Sequence, residues 1–265
     1  GSGHSNVTNQ TVNYIKRAFN SLYAVEDRAD DAGYLGTADL VTSNYQLNLV
    51  CYNDGPDIIV QNTTYGVTID GWTTGPANYV RIYTPIAADE VGTSQRHTGT
   101  AGTGYVYAPV QAAPDTITIG VQIGDAFVRF EGIEFDFSGV TGAETFYGIY
   151  ADTNTADGDI RLESCIVHEV VSDNDDGDGT SVCGLRFEQF AQKVTIANCI
   201  IYNISEDNNN ANTQVNGIVF ASEAQSMTGY VYNNTIYSVY STTAPAAQAA
   251  IGIQVWDRQV TVYAK

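Results

Sequence analysis

The sequence predicts an all-β solenoid, built by stacking coils of about 33 residues. Three observations predict it. One phrase recurs through the second half: Val128-Arg-Phe-Glu-Gly-Ile-Glu-Phe, Ile160-Arg-Leu-Glu-Ser-Cys-Ile-Val, Val194-Thr-Ile-Ala-Asn-Cys-Ile-Ile and Gly229-Tyr-Val-Tyr-Asn-Asn-Thr-Ile, with a fifth copy opening at Val260. Its copies start 32, 34, 35 and 31 residues apart. A second phrase, Gly148-Ile-Tyr, Gly184-Leu-Arg-Phe, Gly217-Ile-Val-Phe and Gly252-Ile-Gln-Val, keeps step with the first at intervals of 36, 33 and 35. Within each phrase apolar and polar side chains alternate, which is the period of a strand with one buried face.

A coil of this length has room for three short strands and three turns. No coil buries its apolar face alone, so each must stack on a neighbour about 4.8 Å away. Equivalent residues then form columns: Phe130, Leu162, Ile196, Val231 and Val262 in one, Ile149, Leu185, Ile218 and Ile253 in another, Ile133, Cys165, Cys199 and Asn234 in a third. A polar column follows the first strand, with Asn198 over Asn233 and Gly132 and Ser164 in the same place. Stacked asparagines bond one another's amides along such an axis. Cys165 and Cys199 are expected as stacked core thiols, because parallel in-register side chains offer a poor disulfide dihedral.

The first half is less regular. Gly66-Val-Thr-Ile69 and Gly120-Val-Gln-Ile123 match the second phrase, and Tyr79-Val-Arg-Ile-Tyr83 matches the first. The solenoid is therefore placed at 45–265, interrupted by an excursion over Ala87–Pro109 that carries Arg96-His97-Thr98-Gly99. Residues 1–44 form an N-terminal segment with a capping helix. Val12, Ile15, Ala18, Phe19, Leu22 and Val25 fall at helical spacing over 11–29, with Thr11 as the cap. Such a helix covers the exposed ladder groups of the first coil. The opening Gly-Ser-Gly-His reads as an added or processed terminus. At the other end Val260-Thr-Val-Tyr-Ala-Lys265 opens a coil and stops, as in a chain that continues or whose last edge another chain covers.

The phrases Ala197-Asn-Cys-Ile-Ile-Tyr-Asn203 and Tyr232-Asn-Asn-Thr-Ile-Tyr-Ser238 resemble those of the right-handed parallel β-helix, or pectate-lyase-like, superfamily. The resemblance covers about residues 60–265. It implies a right-handed parallel β-helix and little about function, since the superfamily holds lyases, hydrolases, phage tailspikes, adhesins and surface proteins. The pectate lyases it contains use an Arg-x-x-Pro-x-x-Arg run, and this sequence has none. Of the polygalacturonase set only Asp175-Asp176 is present, in an acidic turn.

Eleven basic against 30 acidic residues give a net charge of −19. That balance argues against nucleic-acid partners and anionic membranes, and no apolar run is long enough to insert into a bilayer. It suits an extracellular, virion-surface or cell-surface setting.

Two constellations carry candidate chemistry. The loop Asp173-Asn-Asp-Asp-Gly-Asp-Gly179 places Asn174, Asp176 and Asp178 at the alternating spacing of a Ca²⁺ loop, with Gly179 for the turn. The twelfth position is Leu185, so the missing oxygens would come from Glu206-Asp-Asn-Asn-Asn210 in the next coil. The outward side of the first strands carries Arg129 and Glu131, Arg161 and Glu163, Tyr230 and Tyr232, and Tyr263, continuing Arg81 and Tyr83. Aromatic rings stack on sugar faces while Arg and Glu bond hydroxyls or uronate carboxylates, so these residues are expected to line a glycan groove. The plainer reading is an ion-paired, solvated face. The second strands add Tyr150, Asp152, Arg186, Glu188, Gln254 and Trp256, and a third outward column reads Asp136, His168, Tyr202 and Tyr237, with His168 expected at the surface. The expectation is a non-enzymatic surface, adhesin or phage-fibre-type module that binds glycan. A lyase or hydrolase with an unrecognised site is the first alternative, and a structural subunit that assembles head to tail with copies of itself is the second.

Overall fold

Alternating side chains demand one apolar face per strand, and the computed structural model shows how three such faces close on one another. It describes residues 18–61, 63–87, 92–113, 116–141, 145–152, 157–173, 181–188, 193–206, 214–222, 226–241, 250–256 and 259–265. Every neighbouring strand pair within three stacked sheets is parallel, which makes the chain a parallel β-solenoid of about 34 residues per turn. The first sheet runs Leu47–Val50, Val80–Tyr83, Phe127–Glu131, Asp159–Glu163, Lys193–Ala197, Met227–Tyr232 and Val260–Ala264. The second runs Asp57–Gln61, Val106–Gln111, Glu134–Asp136, Ile166–Ser172, Ile200–Glu206 and Thr235–Ser241. The third runs Tyr65–Ile69, Ile119–Ile123, Phe146–Asp152, Ser181–Glu188, Gln214–Ala221 and Ile251–Val255.

The inward columns form the core. Phe130, Leu162 and Ile196 lie in register and are fully buried, as are Ile149, Leu185 and Ile218 on the third sheet. Phe130, Phe135, Phe137 and Phe146 meet at centroid distances of 5.4, 6.5 and 5.6 Å, two of the three contacts edge to face. Each ring buried this way contributes about 1.5–3 kcal/mol. The last coil departs from the expected column. Val231 pairs with Ala264, and Val262 pairs with Gly229, so the fifth copy is displaced by two residues. A shift of two keeps every side chain on its own face, whereas a shift of one would turn them all over.

Positive backbone angles explain the polar column. Gly132, Ser164, Asn198 and Asn233 all take φ between 54° and 72°, the left-handed bend that ends each first-sheet strand. Asn and Gly adopt it at least cost. Asn233 Nδ2 donates to Asn198 Oδ1 at 2.5 Å, so the expected amide ladder is present. A second column of such bends, Glu169, Asn203 and Ser238 (φ 52° to 58°), kinks the second sheet in mid-strand.

The N-terminal helix is shorter than the periodicity predicts. It spans Leu22–Arg28 with Ser21 as its cap, accepting the Ala24 N–H at 3.0 Å. Residues 18–21 are not helical, and 11–17, with the expected cap Thr11, lie outside the described residues. A buried carboxylate overrides the pattern here: Asp57 Oδ2 accepts the Leu22 N–H at 2.7 Å and the Tyr105 hydroxyl at 2.6 Å, pinning the helix start to the first coil. The excursion is also shorter than expected, because Val106–Gln111 is a strand of the second sheet rather than part of the loop.

Candidate functional site

The outward face of the first sheet gathers most of the expected ligand-binding residues. Arg161, Glu163, Lys193, Thr195, Tyr230 and Tyr232 line a shallow groove of about 270 Å³. In-register stacking builds it, since Arg161 pairs with Thr195 and Tyr230, and Glu163 with Ala197 and Tyr232, along consecutive strands. Arg161 is already held by Asp159 at 2.5 Å. Lys193, 46% exposed, stands 4.0 Å from the same carboxylate and 5.7 Å above the Tyr230 ring. Lys193 and Thr195 belong to the groove and were not singled out from the pattern. They occupy the copy of the phrase that carries neither Arg nor Tyr, and only the register puts them between the two.

Arg129 and Glu131 sit further along the same sheet, outside the residues that line the groove. Glu131 takes a two-pronged bond from Arg81 at 3.0 and 2.5 Å, and Arg129 lies 3.4 Å over the Tyr79 ring. Arg81 in turn stacks 3.9 Å over Tyr83. Tyr263 stacks on Tyr230 at 5.4 Å with the rings 15° apart. Each ring therefore uses one face on the other and leaves its edges and outer face free of that contact.

On the third sheet Arg186 is 8% exposed, wedged between Tyr147 at 4.9 Å and Trp256 at 4.5 Å and bonded to Glu188 at 2.5 Å. Tyr150 donates to Glu188 at 2.7 Å, and burial raises its phenol above the ordinary range. Cys183 and Val219, which also face away from the core, are fully buried. Among the described residues, Arg186 and Glu188 of this face are engaged with each other and with the neighbouring rings.

His168 is not at the surface. It is 5% exposed, bonded through Nε2 to Glu134 at 3.1 Å, and stacked flat on Tyr202 at 4.9 Å. Glu134, the seventh residue of the first phrase, gave no signal of its role because its position reads as an ordinary outward residue.

A cavity of about 540 Å³ lies between the N-terminal helix and the first coil, lined by Phe19, Leu22, Val25, Leu49, Cys51 and Tyr105 among others. Burial pushes the Cys51 thiol up to about 12, so it is no nucleophile at neutral pH. All four cysteines are free, Cys165 and Cys199 included.

Asn174, Asp176 and Asp178 lie outside the described residues. Of the oxygens expected from the next coil, Glu206 is fully buried and accepts from the Ser241 hydroxyl. Among the described residues no group of three or more His, Cys, Asp or Glu side chains is spaced to hold a metal ion, and no helix is long and apolar enough to cross a membrane. No protein-family model, no curated protein and no solved structure matches the chain.

Proposed function

We propose that this β-solenoid is an extracellular, non-enzymatic surface module of the adhesin or fibre type, allied with the pectate-lyase-like superfamily, and that it binds glycan on its first sheet. The groove at Arg161, Lys193, Tyr230 and Tyr232 carries the reading. Its size suits one sugar ring, Lys193 supplies an exposed cation for a uronate carboxylate, and the tyrosine hydroxyls and edges supply the amphipathic wall. Calorimetric titration with uronate oligosaccharides tests it. Lys193→Ala should weaken binding about tenfold, the scale of one charge-assisted bond, without changing the melting curve, and Tyr230→Ala should weaken binding while also costing the Tyr263 stack. Binding that both variants leave intact, or no binding to any acidic or neutral oligosaccharide, rejects the groove.

A second reading, a subunit that assembles through its terminal coils, is favoured by Tyr237, Tyr240, Val255, Trp256 and Tyr263, all exposed on the last coil. A monomeric mass at high concentration argues against it.

A further inference from the structure

Among the described residues one arginine donates to nothing. Arg28, Arg81, Arg96, Arg161 and Arg186 each donate to an oxygen, while Arg129 makes no hydrogen bond and no ion pair. Its Nε is buried without a partner, whereas its two terminal nitrogens, equally without partners, are not sealed from solvent. The repeat offers this side chain a carboxylate that it does not take. Arg81, Arg129 and Arg161 are in register on consecutive strands, as are Tyr83, Glu131 and Glu163. Arg81 crosses one strand to bond Glu131 with both prongs. The same step from Arg129 leads to Glu163, and that bond is absent. Arg129 instead lies over the Tyr79 ring, 3.4 Å from its centroid. A stacked guanidinium gives its face to the ring and keeps its N–H donors in the plane, aimed round its edge.

Position ties this donor to the groove. The column of Arg129 continues in register through Arg161, Thr195 and Tyr230, and those three line the groove. Arg129 is therefore the next outward residue beyond the Arg161 end. The strand of Lys193 lies two steps from that of Arg129, about 9.6 Å along the axis. On the strand between them Asp159 holds Arg161, and Glu163 stays on the groove wall. Charge points the same way. The chain carries −19 overall, yet the outward side of this sheet sets Arg81, Arg129, Arg161 and Lys193 against Glu131, Asp159 and Glu163. A ligand's acid group is drawn to this face and repelled by the rest of the molecule.

We propose that Arg129 is a second anion-binding position, which takes a carboxylate of an acidic glycan whose other carboxylate rests at Lys193. The bound sugars then run along the solenoid axis, across the strands, and Glu163 accepts hydroxyls of the rings between. This position rests on the groove at Lys193 being a glycan site, and it gives the bound chain a direction and a minimum length.

Calorimetric titration of the full chain with uronate oligosaccharides of increasing length tests the proposal. A disaccharide reaches Lys193 alone. A hexasaccharide spans both positions and should bind at least tenfold tighter, the scale of one charge-assisted bond. Arg129→Gln should bring the hexasaccharide back to the affinity of the disaccharide. On the parent chain, a hexasaccharide whose carboxyl groups are reduced to alcohols should lose the gain as well, which decides the matter if the Arg129 variant does not fold. Disaccharide binding with no gain for the hexasaccharide, a gain that survives Arg129→Gln, or equal affinity for the acidic and reduced hexasaccharides each overturns the Arg129 position. The first two of these leave the groove at Lys193 standing, whereas no binding at any length overturns both.

Discussion

At the scale of single residues, the glycine that opens the second phrase shows why a repeated residue need not have a repeated cost. Gly120, Gly148, Gly184 and Gly217 lie in one column of the third sheet, each in mid-strand with ordinary backbone angles. Their reason is close approach. A Cβ on Gly148 would stand 2.7 Å from the Gly184 carbonyl oxygen and 3.0 Å from the Phe137 ring. Backbone cannot give way there, so Gly148→Ala should destabilise by about 1–3 kcal/mol, the usual cost of overpacking. Gly252 ends the same column with nothing within 4 Å of its would-be Cβ. Gly252→Ala should be neutral or stabilise by about 0.4–1 kcal/mol through the unfolded chain. Urea melts of both variants check the pair, and equal destabilisation would show that position in the repeat, not local space, sets the cost.

At the scale of elements, the N-terminal helix and the first coils carry carboxylates that resist ionisation. Glu26 Oε1 accepts the Asp70 N–H at 3.2 Å, and Asp125 Oδ1 accepts the Trp72 N–H at 3.1 Å, while Asp125 Oδ2 is buried without a partner. Burial, with Asp70, Asp27 and Asp30 nearby, raises Glu26 to about 7. Burial, with Asp70 and Glu26 nearby, raises Asp125 to about 8. Both groups hold protons in the folded chain that the unfolded chain releases near pH 4, so their contribution is full below about pH 4 and is lost as pH rises towards 8. The melting temperature should therefore fall between pH 5 and pH 8, and Asp125→Asn should flatten that slope while keeping the Trp72 bond. An unchanged slope in the variant would remove Asp125 from the account. The helix itself was legible as an apolar spacing, but its start was not: Asp57, 35 residues away in sequence, fixes it.

At the scale of the whole molecule, acidity and stacking act together. Thirty acidic against 11 basic residues repel one another, and coils stacked about 4.8 Å apart bring like charges close. A Ca²⁺ site at Asn174, Asp176 and Asp178 would relieve part of that repulsion. Ca²⁺ tenfold above its dissociation constant would add about 1.4 kcal/mol, a rise of about 3–6 °C for a domain of this size. Asp176→Ala with Asp178→Ala should abolish the rise, and a parent chain that melts identically in millimolar Ca²⁺ and in chelator excludes the site.

The sequence alone determined the parallel solenoid, its coil length and its inward columns, because period-two alternation repeated in step admits only one way to bury every apolar face. Phe130, Leu162 and Ile196 announce their column by residue type. What side chains do on the outward faces was decided by the tertiary structure. Outward positions tolerate many residue types, and their chemistry depends on which coil neighbours them and what covers them. The pattern could not tell that Arg129 rests on Tyr79 while Arg161 opens on a groove, or that His168 is buried against Glu134. Nor could it show the two-residue displacement of the last coil, which conserves facing and so leaves no trace in the alternation. Burial of apolar surface is written into each residue, whereas a site is a relation between residues that only the stacked register brings together.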